Sequence, residues 1–229
     1  MAPSIPENLE NVRHLISQYE KKYARIPDSV QLLTVSKTHA AEKIMEACQA
    51  GQKHFGENYV QEALEKISTL NAYNLTWHFI GPVQSNKTRA IAENFHWVHS
   101  VDRLKIAQRL SDQRPKSLPP LNILLQVNIS HEDSKAGVSL DELDTLARSC
   151  NELDNIVLSG LMAIPSPVKE FEQQRGSFHA LREARDHLIN QGIVSCQHLS
   201  MGMSNDFEAA IAEGATIIRI GTDIFGERG

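Results

Sequence analysis

Apolar positions along this chain alternate between two rhythms, a helical spacing near 3.6 residues and short runs of branched and apolar residues that read as strands. The first element is a helix. Ser4-Ile5-Pro6-Glu7 has the form of a capping box with a proline in its first turn, and Leu9, Val12, Leu15, Ile16, Tyr19 and Tyr23 follow on one face. Beyond Pro27-Asp28 the run Leu32-Leu33-Thr34-Val35-Ser36-Lys37 reads as a strand that ends on a lysine. A helix is predicted over residues 38–49, with Ala41, Ile44, Ala47 and Cys48 inward and Gly51 as its stop. The strand His54-Phe55-Gly56-Glu57 comes next, and Asn58 with Gln61 predicts a capping box for the helix that carries Val60, Ala63, Leu64 and Ile67.

The same alternation continues to the carboxyl end. Strands are predicted over 75–81, 97–100, 121–128, 156–164, 197–201 and 216–221. Helices between them are predicted from Ser85 through Ile91, from Asp102, from a capping box at Ser139 and Glu142, from Ser166-Pro167 to Gly192, and from Ser204 to Gly214. Gly176 is expected to break the long segment before Gly192 into two pieces. Eight strands alternating with helices imply a parallel sheet, and eight such units in one domain spanning 1–229 predict an α/β fold, a (β/α)8 barrel. Residues 1–6 would form a short tail, and the extra amino-terminal helix would close the ring of helices. An open doubly wound sheet is the competing architecture, but no Gly-x-Gly-x-x-Gly follows the first strand.

Composition narrows the function classes. A net charge of -5 gives no general attraction to nucleic acid or to anionic membranes. No apolar run is long enough to span a bilayer, and the first residues lack the basic and apolar regions of a secretion signal. Cys48, Cys150 and Cys196 are an odd number without CxxC spacing, which suits reduced, buried thiols and a cytoplasmic location.

Candidate chemistry gathers where barrel active sites lie, at the carboxyl ends of the strands. Lys37, Asn58, Asn128, Ser200, Ser204, Gly221 and Thr222 all fall there. Lys37 shares strand parity with Leu33 and Val35, so it points with the core. Taken alone, the stretch favours a lysine snorkelling into water; a desolvated amine able to attack a carbonyl is the alternative. The loops Ser200-Met201-Gly202-Met203-Ser204 and Gly221-Thr222-Asp223 follow strands seven and eight, where such barrels often bind phosphate. Ser204 can equally be a helix N-cap and the glycines simple turn residues. Arg219 lies inside the last strand and needs a partner, either a ligand acceptor or a buried pair with Glu57 or Asp223. His54, His78, His99 and His198 lie on predicted strands without metal-ligand spacing and read as core residues, so no metal is assigned. His78, after Trp77, can also stack on a planar ligand. Lys87 and Lys135 are rival amines in polar, solvated settings, and Asp206 and Glu208 are expected to complement their helix dipole.

Thr34-Val35-Ser36-Lys37-Thr38, Phe55-Gly56-Glu57-Asn58, Trp77-His78-Phe79-Ile80-Gly81 with Gln84-Ser85-Asn86-Lys87, Ser200 to Ser204, and Arg219-Ile220-Gly221-Thr222-Asp223-Ile224-Phe225-Gly226 together resemble the pyridoxal phosphate homeostasis proteins. The resemblance implies a barrel like the amino-terminal domain of alanine racemase. It also implies that Lys37 holds pyridoxal 5′-phosphate (PLP) as a Schiff base, the internal aldimine. Ser200, Gly202, Ser204, Gly221 and Thr222 would surround the phosphate, Arg219 would face the pyridine nitrogen, and Asn58 and His78 would neighbour the cofactor. Because Arg219 only donates, that nitrogen would stay unprotonated and be a weak electron sink. The expected role is PLP binding in vitamin B6 and amino-acid homeostasis without turnover, with PLP-dependent apoenzymes as partners. A racemase-like PLP enzyme is the alternative. The second domain that supplies the other acid/base in racemases is not expected here, and a monomer is. A barrel enzyme acting on phosphate esters without PLP is a third reading.

Overall fold

The computed structural model describes residues 3–130 and 136–226, so Lys135 lies outside the described residues. Its helices and strands are α1 (Ile5–Lys22), β1 (Gln31–Val35), α2 (Ala41–Gln49), β2 (His54–Glu57), α3 (Val60–Thr69), β3 (Thr76–Phe79), α4 (Thr88–Asn94), β4 (Trp97–Val101) and α5 (Leu104–Gln113). They continue as β5 (Leu121–Gln126), α6 (Leu140–Asn151), β6 (Ile156–Met162), α7 (Phe171–Asn190), β7 (His198–Ser200), α8 (Phe207–Ala212), β8 (Ile217–Ile220) and α9 (Thr222–Phe225). The strands pair in chain order, all parallel, and β1 closes onto β8 with Leu33 opposite Arg219. This is the (β/α)8 barrel that the alternating pattern predicts.

Helix α1 begins as its capping box dictates. The Ser4 amide donates to Glu7 Oε2 at 2.7 Å, and Ser4 Oγ accepts from the Glu7 amide at 3.4 Å. Its apolar face, with Leu9, Val12 and Ile16 buried, packs between α2 on one side and α8 and α9 on the other. The helix therefore closes the ring, and Asn8 Nδ2 donates to the Ile224 carbonyl at 3.0 Å to fasten it.

Several boundary expectations fail: residues 5 and 6, expected in the tail, already belong to α1, which starts directly after its Ser4 cap. Helix α2 starts at Ala41 rather than Thr38, because Thr38 adopts a left-handed backbone (φ 66°) that no helix accepts. The capping box at Asn58 does not form; Tyr59 is the N-cap of α3 and Asn58 stays with the strand end. Helix α7 starts at Phe171 and runs unbroken through Gly176. A helical glycine costs only about 1 kcal/mol, and the burial of Phe178, Leu181 and Leu188 on the same helix outweighs it.

The three cysteines are free and buried, and burial pushes the thiols of Cys150 and Cys196 up to about 12. Among the described residues no helix is long and apolar enough to cross a membrane.

Between β6 and β7 the two backbones approach each other very closely. Gly160 on β6 stands opposite His198 on β7, and a Cβ there would overlap the His198 carbonyl. Gly160→Ala is accordingly expected to lose about 3 kcal/mol in urea unfolding, because backbone rather than a flexible side chain must yield. A midpoint equal to that of the unsubstituted chain would contradict this packing.

Candidate functional site

Position in the barrel sorts the candidate residues into two levels. Side chains of one strand parity fill the interior, and the interior residue nearest the carboxyl end meets the loops. At that end lies a cavity of about 300 Å³, within the range of small-ligand sites. Lys37, Asn58, Ser204, Arg219, Gly221 and Thr222 all line it. These residues come from both ends of the sequence, and barrel closure between β1 and β8 brings them together. Val35, Ile80, Met162 and Ile164 supply apolar walls.

Lys37 is half-buried, and the residues on either side of it are tied to one buried ionic cluster. Lys66 Nζ on α3 lies 2.8 Å from Glu57 Oε1, 2.6 Å from Glu62 Oε1 and 2.8 Å from the Ser36 carbonyl. Ser36 Oγ donates to Glu57 Oε1 at 2.6 Å, and the Thr38 amide donates to Glu62 Oε1 at 2.6 Å. The cluster thus grips the chain immediately before and after Lys37. It also sustains the left-handed Thr38, a strain of about 1–3 kcal/mol for a β-branched residue. Burial raises the Glu57 carboxyl above its ordinary range despite Lys66, and its second oxygen has no partner among the described residues. Glu57 therefore belongs to the Lys37 mount.

Arg219 does not make the alternative pair with Glu57 or Asp223. Its Nη1 donates to the Ser200 carbonyl at 2.6 Å and to Ser200 Oγ at 2.8 Å, and its Nη2 donates to the Ala163 carbonyl at 3.0 Å. Burial pushes its pKa down to about 10, with the charge of Asp206 opposing. A buried cation held by neutral oxygens at a cavity wall is an attractive place for a lone pair or an anion.

Three predicted site residues do not line the cavity. His78 is fully buried one interior position below Ile80, so it cannot stack on a ligand there; it stacks on Trp97, with centroids 5.5 Å apart. Ser200 is also fully buried and turns its hydroxyl to Arg219 and His99. Gly202 has φ 94°, and a Cβ would sit 2.6 Å from that of Ala210, so it serves the close passage of the loop over α8. The N-cap of α8 is Asp206, not Ser204, and Asp206 Oδ1 accepts from the Met203 amide at 2.6 Å. That leaves Ser204 facing the cavity. Glu208 binds Lys22 at 2.7 Å and Tyr23 at 2.9 Å. Asn128 caps its own loop, its Oδ1 accepting from Ser130 N at 3.3 Å, and is absent from the cavity wall; Lys87 is exposed at the foot of α4.

His39 and Asn205 also line the cavity, although their places in the sequence, beside Lys37 and in the Ser200–Asn205 loop, assign them no role. Asn205 was legible as the neighbour of Ser204. His39 was not, because the turn at Thr38 redirects the chain after the strand; its ring lies 4.7 Å from that of Phe225. Two residues anchor the walls by glycine-only fits. A Cβ on Gly81 would overlap the Asn58 carbonyl, and one on Gly221 would lie 3.1 Å from the Val35 carbonyl.

The alanine racemase N-terminal domain family matches residues 8–229. A pyridoxal phosphate homeostasis protein of Pseudomonas aeruginosa is 55% identical, covering 98% of this chain and 96% of that one. The protein of the same name from Escherichia coli K12 is 51% identical, covering 98% and 97%. The chain belongs to the pyridoxal phosphate homeostasis protein family. Among solved structures, PipY of Synechococcus elongatus with PLP bound superposes with a TM-score of 0.86 at 38% identity, covering 97% of this chain and all of that one. Family membership agrees with the barrel and with the motif set that runs from Thr34 to Gly226.

Below the cavity the interior is polar, and its electrostatics set an acid limit. His78 and His99 are fully buried, and burial holds both well below the usual imidazole range. His54, His96 and His198 face His78, and Arg219 and His198 face His99, so every neighbouring charge has the same sign. In the unfolded chain each imidazole takes up a proton near pH 6.5, while the folded chain keeps it neutral to lower pH. Their contribution is complete above that pH and is lost as pH falls. Urea unfolding is expected to weaken by about 2 kcal/mol between pH 6.5 and pH 5.5 from His78 and His99 together. A loss well short of this across the window would show that at least one of them is charged in the folded state.

Proposed function

We propose that this chain holds PLP in the cavity at the carboxyl end of the barrel, bound to Lys37 through a Schiff base, and serves cofactor homeostasis without turnover of its own. One observation carries the reading: a mounted lysine, hydroxyls of Ser204 and Thr222, and the Arg219 guanidinium share one cavity wall. The donor set fits the cofactor's chemistry. An amine suits an aldehyde, the hydroxyls and the backbone at Gly221 suit a phosphate, and a guanidinium suits a ring nitrogen with a free lone pair. PipY, similar over its whole length, was solved with PLP bound, which supports the same ligand here.

Each residue then has a stated task. Lys37 Nζ, when deprotonated, would hold the cofactor at its aldehyde carbon. The Ser36 and Thr38 tethers aim that amine, and Asn58 borders it from β2. Ser204 and Thr222 donate to phosphate oxygens. Arg219 donates toward the ring nitrogen and, having no acceptor capacity, keeps it unprotonated. When bound, the cofactor would supply an electrophilic carbon and only a weak electron sink. Among the described residues the cavity wall holds no carboxylate that would protonate the ring nitrogen, and the relatives are named for homeostasis. PLP-dependent apoenzymes are the recipients on this reading, which also takes the chain as a cytoplasmic monomer. Ile164 and Met203, 45% and 38% exposed at the cavity, suit an open mouth through which cofactor exchanges.

A racemase-like activity is favoured by one feature, His39 at the same cavity as Lys37, since two-sided proton transfer needs a second acid/base. PLP titration and an amino-acid turnover assay separate the readings. The unsubstituted protein is expected to take up PLP with a near-visible band and to racemise nothing. Lys37→Ala is expected to bind roughly a hundred-fold more weakly without that band, and to keep the same melting temperature because the side chain is half-buried and at a loop. Robust racemisation by pure protein that His39→Asn abolishes would replace the homeostasis reading with the enzymatic one.

A further inference from the structure

Six polar side chains form a continuous line through the barrel from the cavity floor to its amino-terminal end. Arg219 Nη1 lies 2.8 Å from Ser200 Oγ, which lies 2.8 Å from His99 Nδ1. His99 Nε2 lies 2.9 Å from His78 Nδ1, and His78 Nε2 lies 3.0 Å from His54 Nδ1. Gln31 Nε2, 3.1 Å from His54 Nδ1, ends the line at a surface depression below the barrel.

One end of this line has no freedom, and that decides the rest. Arg219 can only donate, so Ser200 Oγ must accept from it. Among the described residues, the acceptor that meets the single hydroxyl hydrogen of Ser200 is then His99 Nδ1. Were His99 Nδ1 protonated instead, that hydrogen would be buried without a partner, which folded proteins avoid. His99 therefore carries its proton on Nε2 and donates to His78 Nδ1. By the same step His78 carries its proton on Nε2 and donates to His54 Nδ1. From Arg219 as far as His54 the hydrogen bonds run away from the cavity, and chains so aligned strengthen one another; Gln31 Nε2 meets His54 Nδ1 as a second donor from the opposite end.

We propose that His99 is a positioning residue for Arg219, its Nδ1 lone pair drawing the Ser200 hydroxyl so that Oγ faces the guanidinium and fixes it against the cavity. Three of the five N–H donors of Arg219 are thereby spent on Ser200 and Ala163, and Nε–H and one Nη2–H stay available. Among the described residues no carboxylate hydrogen-bonds the cation, Asp206 acting on it only through its charge, so Ser200 and the histidine behind it set its orientation. The inference deepens the proposed role of Arg219 toward a ring nitrogen and rests on that reading for its link to PLP. The line is not a path for proton delivery, because a guanidinium already fully protonated closes it at the cavity.

Long-range ¹H–¹⁵N spectra of the full chain without PLP read the tautomers directly. Neutral Nε2–H forms of His99 and His78 at pH 7 are expected, and an Nδ1–H form or an imidazolium at His99 would overturn the proposal. PLP affinity of two variants reads the consequence. His99→Gln can accept from Ser200 and donate to His78, so binding within about three-fold of the unsubstituted chain is expected; His99→Phe can do neither, and at least ten-fold weaker binding is expected. Equal loss in both variants, or none in His99→Phe, would reduce His99 to packing and overturn the proposal. Absence of PLP binding by the unsubstituted chain would instead remove the proposed function, and the tautomers would still decide the proton arrangement.

Discussion

A guanidinium buried with no carboxylate hydrogen-bonded to it among the described residues, Asp206 acting on it through its charge alone, is the constraint on which the interior of this barrel depends. Arg219 cannot shed its proton to escape desolvation as a lysine would, so its surroundings must supply oxygens. The Ser200 carbonyl and hydroxyl and the Ala163 carbonyl do so. The histidines below must stay neutral next to it, and burial together with neighbouring positive groups keeps them so. A polar, uncharged floor therefore lies under one fixed cation, and the open side of that cation is the cavity. The floor explains why a ligand bringing a lone pair or a phosphate suits this end of the barrel.

The second centre of organisation is the mount for Lys37. A strand end normally leaves a lysine free to reach water. Here Ser36 and Thr38 are bound to Glu57 and Glu62, and Lys66 joins both carboxylates. Such a cluster is weak evidence for stability, since replacing it with well-packed apolar residues is often neutral. Removing only Lys66 would cost about 3–5 kcal/mol by leaving Glu57 buried and unpaired. Its retention makes sense as geometry, because it holds a strained Thr38 and so fixes the direction of the amine.

Much of this architecture was legible in the chain itself. The alternation of helical and strand rhythms predicts the barrel, and strand parity predicts that Leu33, Val35 and Lys37 share a face. Parity does not report depth. His78 and Ser200 lie on the interior face as expected, yet one position short of the cavity, and only the register of β3 with β2 and of β7 with β8 reveals that. Capping propensity misassigned Ser204 because residues 204–206 form a turn before the helix, and α8 begins only after Asp206, whose carboxylate holds the Met203 amide in that turn. The Lys66 cluster was invisible because nothing in a helix's own periodicity says which strand-end groups it will meet. The interior histidines were recognisable as core residues, and His78 and His99 are fully buried. Their order along one hydrogen-bonded line follows only from closure of the sheet.

The measurement that tests the central claim most directly is borohydride reduction of the PLP-loaded protein followed by mass mapping of its peptides. The account predicts a single reduced adduct on the peptide containing Lys37, with loss of the near-visible band on reduction. An adduct predominantly on Lys87, Lys135 or another lysine, or none at all, would contradict it. The clamp around Lys37 and the cation at Arg219 would then need a different ligand.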